Sequence, residues 1–253
     1  MKQKNYLLIG LLITLGVLAS CQKNTSSNAD QSALGFQIQA INKTFPVGTV
    51  LDHSGNVTKD AVLSAAHNTG TFAFDTAVMN VSRIKFVAEE HKINSHRDSI
   101  EVTIEWSGPK TVDLFNMNDL IGQINLVQAN YDRISVMMQS VRGDFGTSPV
   151  FYLAGTYTND SAKVTPIRII IDESISFSAE QSGAALDSAS NWLNLVQVNL
   201  SLVMSHVRQA NLDAATLTNG VIVVSSTSNT ALYRNIRFDF DRARYCRFMR
   251  WHR

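Results

Sequence analysis

Proline and cysteine are scarce in this sequence, and the common catalytic motifs are absent from it. Of 253 residues, four are proline and two are cysteine. The chain has no Gly-x-Ser-x-Gly elbow, no His-Glu-x-x-His and no Gly-x-x-x-x-Gly-Lys-Ser/Thr, so it lacks the usual hydrolase, zinc-protease and phosphate-loop signatures. We therefore predict that the protein is not an enzyme, with no catalytic residues, no metal site and no cofactor.

No apolar run reaches the roughly 20 residues that a stable membrane span needs. The run over residues 7–18 follows Lys2 and Lys4 and precedes two small residues, as in a secretory signal. Leu18-Ala19-Ser20-Cys21 resembles the lipobox of bacterial lipoproteins. The resemblance implies a diacylglyceryl group on the Cys21 sulfur, cleavage of a signal peptide over residues 1–20, and acylation of the new amine. The alternative is a core or disulfide cysteine behind a plain signal.

Acylation of Cys21 would make the lipid bilayer a partner of this protein. Each buried methylene contributes about 0.8 kcal/mol, so several acyl chains form a durable anchor. Residue 22 is Gln, not the Asp that commonly retains such proteins in an inner membrane, so we expect the outer membrane, with the face undecided. Residues 21–34 are predicted to be a flexible tether. With Cys21 modified, Cys246 has no partner for an intramolecular disulfide.

The net charge of +1 conceals an asymmetry. Residues 234–253 carry seven arginines against Asp239 and Asp241, whereas residues 21–233 have a net charge of −6. A mildly acidic body makes nucleic acid an unexpected partner. Residues 241–253 are predicted to be a disordered basic tail, or one whose arginines and aromatic residues contact anionic lipid head groups.

Alternation of apolar and polar residues predicts an all-β fold. The clearest strands are Phe72–Glu90, with irregularities near Thr76 and Arg83, and Ser99–Trp106. Further strands are expected over 35–41 at a sheet edge, 47–51, 111–115 after a turn at 107–110, 131–141, 150–157, 164–171, 174–179 and 221–225. Residues 192–202 are ambiguous between strand and helix, and their alternation favours a strand first. This pattern favours an antiparallel β-sandwich over residues 35–240, with a subdivision near 180–190 left open.

Two or three short helices are expected beside the strands. Asn118 is positioned to cap one over 119–126, and a second is expected from Ser201 to about Gln209. Ser228 is predicted to cap a third, which carries Leu232, Tyr233 and Ile236.

The middle of the chain resembles a family of Gram-negative lipoproteins that carry a domain of unknown function. The resemblance lies in an alternating strand, a Val-Asp-Leu triplet, a short helix and a strand that begins with Tyr. These parts are Ile100–Trp106, Val112-Asp113-Leu114, Leu120-Ile121-Gly122 and Tyr131-Asp132-Arg133-Ile134, with a later similarity over Gly220–Ser225, Asn229, Leu232 and Tyr233. The resemblance implies a transthyretin- or immunoglobulin-like sandwich and no activity.

Several groups of side chains are candidate sites, but for each of them the sequence favours an ordinary structural role. His91 and His96 lie among three carboxylates but also beside Lys92 and Arg97, which favours a solvated loop over a zinc site. Glu101 and Glu105 share one strand face with Cα atoms about 13 Å apart, too far for a glycosidase pair.

Asp172-Glu173 is predicted to be a strand-end turn, with calcium binding as the alternative. Trp106, Trp192 and Tyr152 are candidates for stacking on sugars, but Trp106 is in phase with the core residues of its strand.

These observations favour a membrane-anchored, non-enzymatic binding or scaffolding module, with an unknown protein or glycan as its partner. The alternatives are a fimbrial structural subunit and a hydrolase acting on glycan or peptide.

Overall fold

A computed structural model describes residues 31–58, 70–91, 99–116, 120–127, 129–186 and 191–251. The predicted all-β class is confirmed: the described chain forms a β-sandwich-like structure of two sheets with three short helices. The strands are β1 Gln31–Ile41, β2 Thr44–Pro46, β3 Thr71–His91, β4 Ser99–Asp113, β5 Gly122–Val127, β6 Ala129–Ser140, β7 Phe151–Thr158, β8 Val164–Ile171, β9 Ile175–Leu186, β10 Asn191–Asn199, β11 Leu217–Thr218, β12 Val221–Val224 and β13 Arg244–Trp251. The helices are α1 Leu200–Val203, α2 Gln209–Asp213 and α3 Thr230–Arg242.

The larger sheet is built around the long strand β3. Its first half pairs with β7 and its second half with β6, while β2 and β4 lie along the opposite edge. The hydrogen-bonded neighbours follow the path β11-β12-β8-β7-β3-β6-β9, in which β7 and β6 share one edge of β3. The pairing shifts between Phe74 and Thr76 and between Val81 and Arg83, so both predicted irregularities are confirmed. Such bulges bend a strand, which lets one strand serve two sets of neighbours.

The smaller sheet has the order β13-β10-β1-β5. Its two central strands, β1 and β10, are parallel, while both outer strands are antiparallel to their neighbours. Every side chain from Leu34 to Ala40 and from Leu193 to Asn199 is buried, as expected for parallel strands covered on both faces. One hydrophobic core includes residues of both sheets, among them Phe36 and Phe86.

Two sequence predictions about the smaller sheet are wrong. The segment over 35–41 lies in the middle of its sheet and not at an edge, and the strand begins at Gln31, within the region predicted to be a tether. The helix predicted over 119–126 is wrong where the structure describes it, because Gly122–Val127 forms strand β5; the predicted cap Asn118 lies outside the described residues. In β5, Ile124 and Leu126 lie on one face, and Gln123 and Asn125 are exposed on the other. That period-two pattern fits a strand, and pairing with β1 satisfies its backbone.

The prediction of a disordered basic tail is wrong for residues 241–251. Helix α3 extends to Arg242, and Arg244–Trp251 forms β13, which pairs with β10 over eight residues. The edge of β10 needs hydrogen-bonding partners, and β13 supplies them while Phe248 and Cys246 pack against the core.

Three further boundaries differ from the prediction. The segment expected as a strand over 47–51 follows the actual strand β2. Residues 107–110 make no hairpin turn, because the residues on both sides of them pair with β3 within one strand, β4. The helix expected over 201–209 is split into α1 and α2, separated by a turn that contains His206.

Candidate functional site

A cavity of about 420 Å³ lies between α3 and the segment that runs from the end of α1 into α2. We call it the His206 cavity; its walls are His206, Arg208, Asn211, Asn235 and Phe238. His206 and Arg208 lie between α1 and α2, Asn211 lies in α2, and the other two lie in α3. The volume is in the range of small-molecule sites in proteins.

A buried carboxylate holds the imidazole of His206 in place. Nδ1 lies 2.7 Å from Oδ1 and 2.9 Å from Oδ2 of Asp239, and the His206 backbone N–H donates to Oδ2 at 3.1 Å. The Asp239 side chain is 1% exposed, whereas the His206 side chain is 57% exposed. Since the carboxylate faces Nδ1, that atom carries a proton, and Nε2 at the opposite side of the ring can accept or donate.

The arrangement has no nucleophile in the position that a catalytic triad requires. Ser205 Oγ lies 3.4 Å from Nδ1 of His206, the same nitrogen that contacts Asp239. A triad instead places the hydroxyl on Nε2, so that the base receives its proton there. The described ranges also contain no cluster of three or more His, Cys, Asp or Glu side chains that is able to hold a metal ion.

Helix α3 is positioned by its sequence and by an ion network. The predicted helix that carries Leu232, Tyr233 and Ile236 is confirmed, but its N-cap is Asn229 and not Ser228 as predicted. These three residues and Phe240 recur at helical spacing and are all buried. On the other side, Arg237 pairs with Glu173 at 2.8 Å and with Asp241 at 2.7 Å. Burial alone would lower the pKa of Arg237, but the Asp241 and Glu173 carboxylates outweigh it and raise the pKa.

Asn199 joins the end of β10 to α1 and to the turn near Leu51. Its Oδ1 accepts from the Ser201 backbone N–H at 3.1 Å and caps α1, while its Nδ2 donates to the Leu51 carbonyl at 2.6 Å. Asn42 completes the group by donating to Asn199 Oδ1 at 2.9 Å. The backbone N–H of Asn199 donates to Ala243, which places the end of α3 at the end of β10.

Two buried tyrosines lie outside the His206 cavity. Burial, and then a 2.9 Å hydrogen bond to Asp213, raise the pKa of the Tyr157 hydroxyl. Burial, and then the Glu173 carboxylate, raise the pKa of Tyr233 to about 12. Both hydroxyls are therefore structural rather than acid–base groups at neutral pH.

The described side chains that the sequence offers as candidate sites lie apart from one another in the structure. Residues 92–98, which include His96, lie outside the described part of the chain, and His91 ends β3. Glu105 is exposed on β4, and Asp172-Glu173 lies between β8 and β9, as predicted. Trp106 and Trp192 are half-buried against the core, and the Arg250 guanidinium lies 5.7 Å from the Trp192 ring centre. Cys21 lies outside the described residues.

The pairing of His206 with Asp239 had no signal in the sequence. His206 lies within the segment predicted to be one helix from Ser201 to about Gln209, and Asp239 enters the sequence analysis only as a charge near the basic end. The two residues are 33 positions apart, and no motif links them.

Comparison of the chain with protein-family models, with curated proteins and with solved structures finds no match. Among the residues that the structure describes, no helix combines the length and the apolar character needed to cross a bilayer.

Proposed function

We propose that this protein is a bacterial outer-membrane lipoprotein, anchored through acylated Cys21, which acts as a non-enzymatic binding module. The observation that carries the proposal is the Leu18–Cys21 lipobox after a charged and then apolar start. Its similarity to Gram-negative lipoproteins with a domain of unknown function supports the same conclusion.

The two ends of the β1–β10 pair suit an anchored module. The parallel strands start together, where the Ala33 backbone N–H donates to Asn191 at 3.4 Å, and they end together at Ile41 and Asn199. Eight residues of strand separate the two ends by roughly 26 Å. The chain enters from the anchor at the first end, whereas the His206 cavity adjoins the second, because Ala243 contacts Asn199 and Asp239 in turn.

The connection between anchor and fold is short. Ten residues join Cys21 to the start of β1 at Gln31, and a fully extended chain of that length spans at most about 35 Å. The connection limits how far the first end can lie from the head groups, and we expect the His206 cavity, at the second end, to lie farther from them on average.

Replacement of the cysteine tests the anchor directly. In a Gram-negative host, we expect the native chain to fractionate with outer membranes and to begin at Cys21 with three acyl chains by mass spectrometry. Cys21→Ser should abolish acylation and the outer-membrane fraction, while Cys246→Ser, the matched control, should leave both unchanged. Acyl-free protein from the native chain would contradict the proposal.

A hydrolase is the second candidate, and the His206–Asp239 pair is the observation that favours it. A carboxylate-oriented imidazole is the base of many hydrolases. Turnover of peptide or glycan substrates that is lost in His206→Asn would support this candidate over the binding module.

A further inference from the structure

The rim of the His206 cavity is rich in positive charge. Arg208 lines the cavity, and Arg234 and Arg242 lie four residues on either side of Phe238, on the same face of α3. Within the described ranges, none of these three arginines forms an ion pair with Asp or Glu. The acidic group that is present, Asp239, is buried behind the imidazole.

The polar side chains in the walls are suited to hold an anion. Arginine presents parallel N–H donors that match the oxygen atoms of a phosphate or a carboxylate. Asn211 and Asn235 add amide groups, and Nε2 of His206 becomes a further donor when the ring is protonated. The Asp239 contact fixes the ring, so little side-chain freedom is lost when a ligand binds.

One wall of the cavity is apolar. The Phe238 side chain is 62% exposed, although it is a large hydrophobic residue on an otherwise polar helix face. Its ring centre lies 6.3 Å from that of His206, and the Arg242 guanidinium lies 5.7 Å from it on the rim. An exposed aromatic ring beside a cavity offers a planar surface on which a ligand can stack.

We infer that the His206 cavity binds a small organic anion, in which a phosphate or a carboxylate is attached to a planar or apolar group. Arg208 and Nε2 of His206 hold the anionic group, and Phe238 contacts the apolar part. The inference rests on the proposed function only in that the cavity is its recognition site, and it does not require acylation of Cys21.

The test uses the full chain with Cys21→Ser, so that acylation has no influence on the result. Isothermal titration calorimetry compares phenyl phosphate, benzoate, inorganic phosphate and the neutral benzyl alcohol. We expect phenyl phosphate or benzoate to bind more tightly than both inorganic phosphate and benzyl alcohol. The relative affinities of phenyl phosphate and benzoate show which anionic group the site prefers.

Three variants identify the cavity as the site. Arg208→Gln should weaken the better anion by about tenfold, the loss typical of one hydrogen bond to a charged group. Arg168→Gln, which removes an equal charge from the exposed face of β8, should leave the affinity unchanged. His206→Asn, which keeps an N–H near Asp239, should also weaken binding. In protein that retains His206, addition of the anion should shift the NMR resonance of the His206 Nε2 atom.

Several results would overturn the inference. Equal affinity for benzyl alcohol, or no measurable anion binding at all, would remove the anionic ligand class. An Arg208→Gln affinity equal to that of Arg168→Gln would place the anion elsewhere. If the protein instead bound only the neutral ligand, and Phe238→Ala abolished that binding, the proposed anionic ligand would be wrong but the proposed binding module would stand. The two proposals can therefore fail separately.

Discussion

At the scale of single residues, Asp239 shows how one buried carboxylate can join segments that are distant in sequence. Its two oxygens accept from the ring and the backbone of a single residue, His206, which lies 33 positions earlier. The carboxylate is buried, so the loss of these donors would leave a charge without solvent or partners. The same contact that orients the candidate site therefore also stabilises the fold.

Replacement of Asp239 by Ala should lower the free energy of unfolding by about 1.5–3 kcal/mol, the range for hydrogen bonds that involve a charged group. The measurement is urea unfolding followed by circular dichroism. Asp144→Ala, at an exposed turn, is the matched control and should change stability by less than about 0.5 kcal/mol. Equal effects in the two variants would show that the Asp239 contacts contribute no stability.

Gly155 illustrates a residue that is required by close backbone approach. It faces the first bulge of β3, and a Cβ at this position would lie 2.6 Å from the Cα atom of Phe74 and would also meet the Ala73 carbonyl oxygen. Gly155→Ala should destabilise the protein by roughly 3 kcal/mol, the upper part of the range for overpacking. In contrast, Gly122→Ala, where a Cβ meets nothing within 4 Å, should be tolerated; thermal unfolding of the two variants makes the comparison.

At the scale of elements, β13 determines whether the smaller sheet is complete. It covers one edge of β10 over eight residue pairs, and Arg244 donates to the Ser176 carbonyl of β9 while its guanidinium lies 5.2 Å from the Phe177 ring centre. The strand thus contacts both sheets. Its arginines also keep this sheet edge charged, which disfavours pairing with other chains.

Truncation after Ala243 should therefore prevent stable folding. Removal of β13 exposes the edge of β10 and apolar surface near Val196 and Val198, both of which are buried. We expect the truncated chain to aggregate or to be degraded by limited proteolysis under conditions in which the full chain resists. A control truncation after Trp251 leaves β13 whole and should behave like the full chain. A soluble, cooperatively folding chain that ends at Ala243 would contradict the role assigned to β13.

At the scale of the whole molecule, the proposed anchor and the His206 cavity give the protein a direction. The proposed anchor precedes the first end of β1. Strand β10 runs parallel to β1 and leads directly into α1. Since β1 and β10 are parallel, their two starts coincide. At the opposite end, Asn199 caps α1 and contacts Ala243, which follows α3.

This orientation predicts different distances from the bilayer for two labelled positions. In acylated protein reconstituted in vesicles, with Cys246→Ser as the background, a fluorophore at Asn130→Cys should transfer energy to a head-group acceptor more efficiently than one at Ala210→Cys. Asn130 lies just after β5, whose end pairs with Gln31, whereas Ala210 adjoins the cavity in α2. Unlipidated Cys21→Ser protein mixed with the same vesicles controls for free chains. Equal transfer from both positions would contradict the orientation.

Local patterning was sufficient for much of the fold. The alternation over Phe72–Glu90 predicted β3 and two of its three register shifts, and the segment with Leu232, Tyr233 and Ile236 was predicted to be helical, as α3 is. These features depend on neighbours in sequence, because a strand or a helix repeats its buried positions at a fixed period. Short segments such as β5 were mistaken because six residues carry too little periodicity to distinguish a strand from a helix.

The sequence by itself determined the all-β class, the positions of most strands and the lipobox that motivates the anchor, since each is written in neighbouring residues. Only the tertiary structure decided that β1 is central, that the basic end forms β13, and that His206 meets Asp239 inside a cavity. Those outcomes depend on which distant segments pair and pack together. Hydrogen bonds and buried apolar contacts between distant segments decide that pairing. Neither can be predicted from the spacing of neighbouring residues.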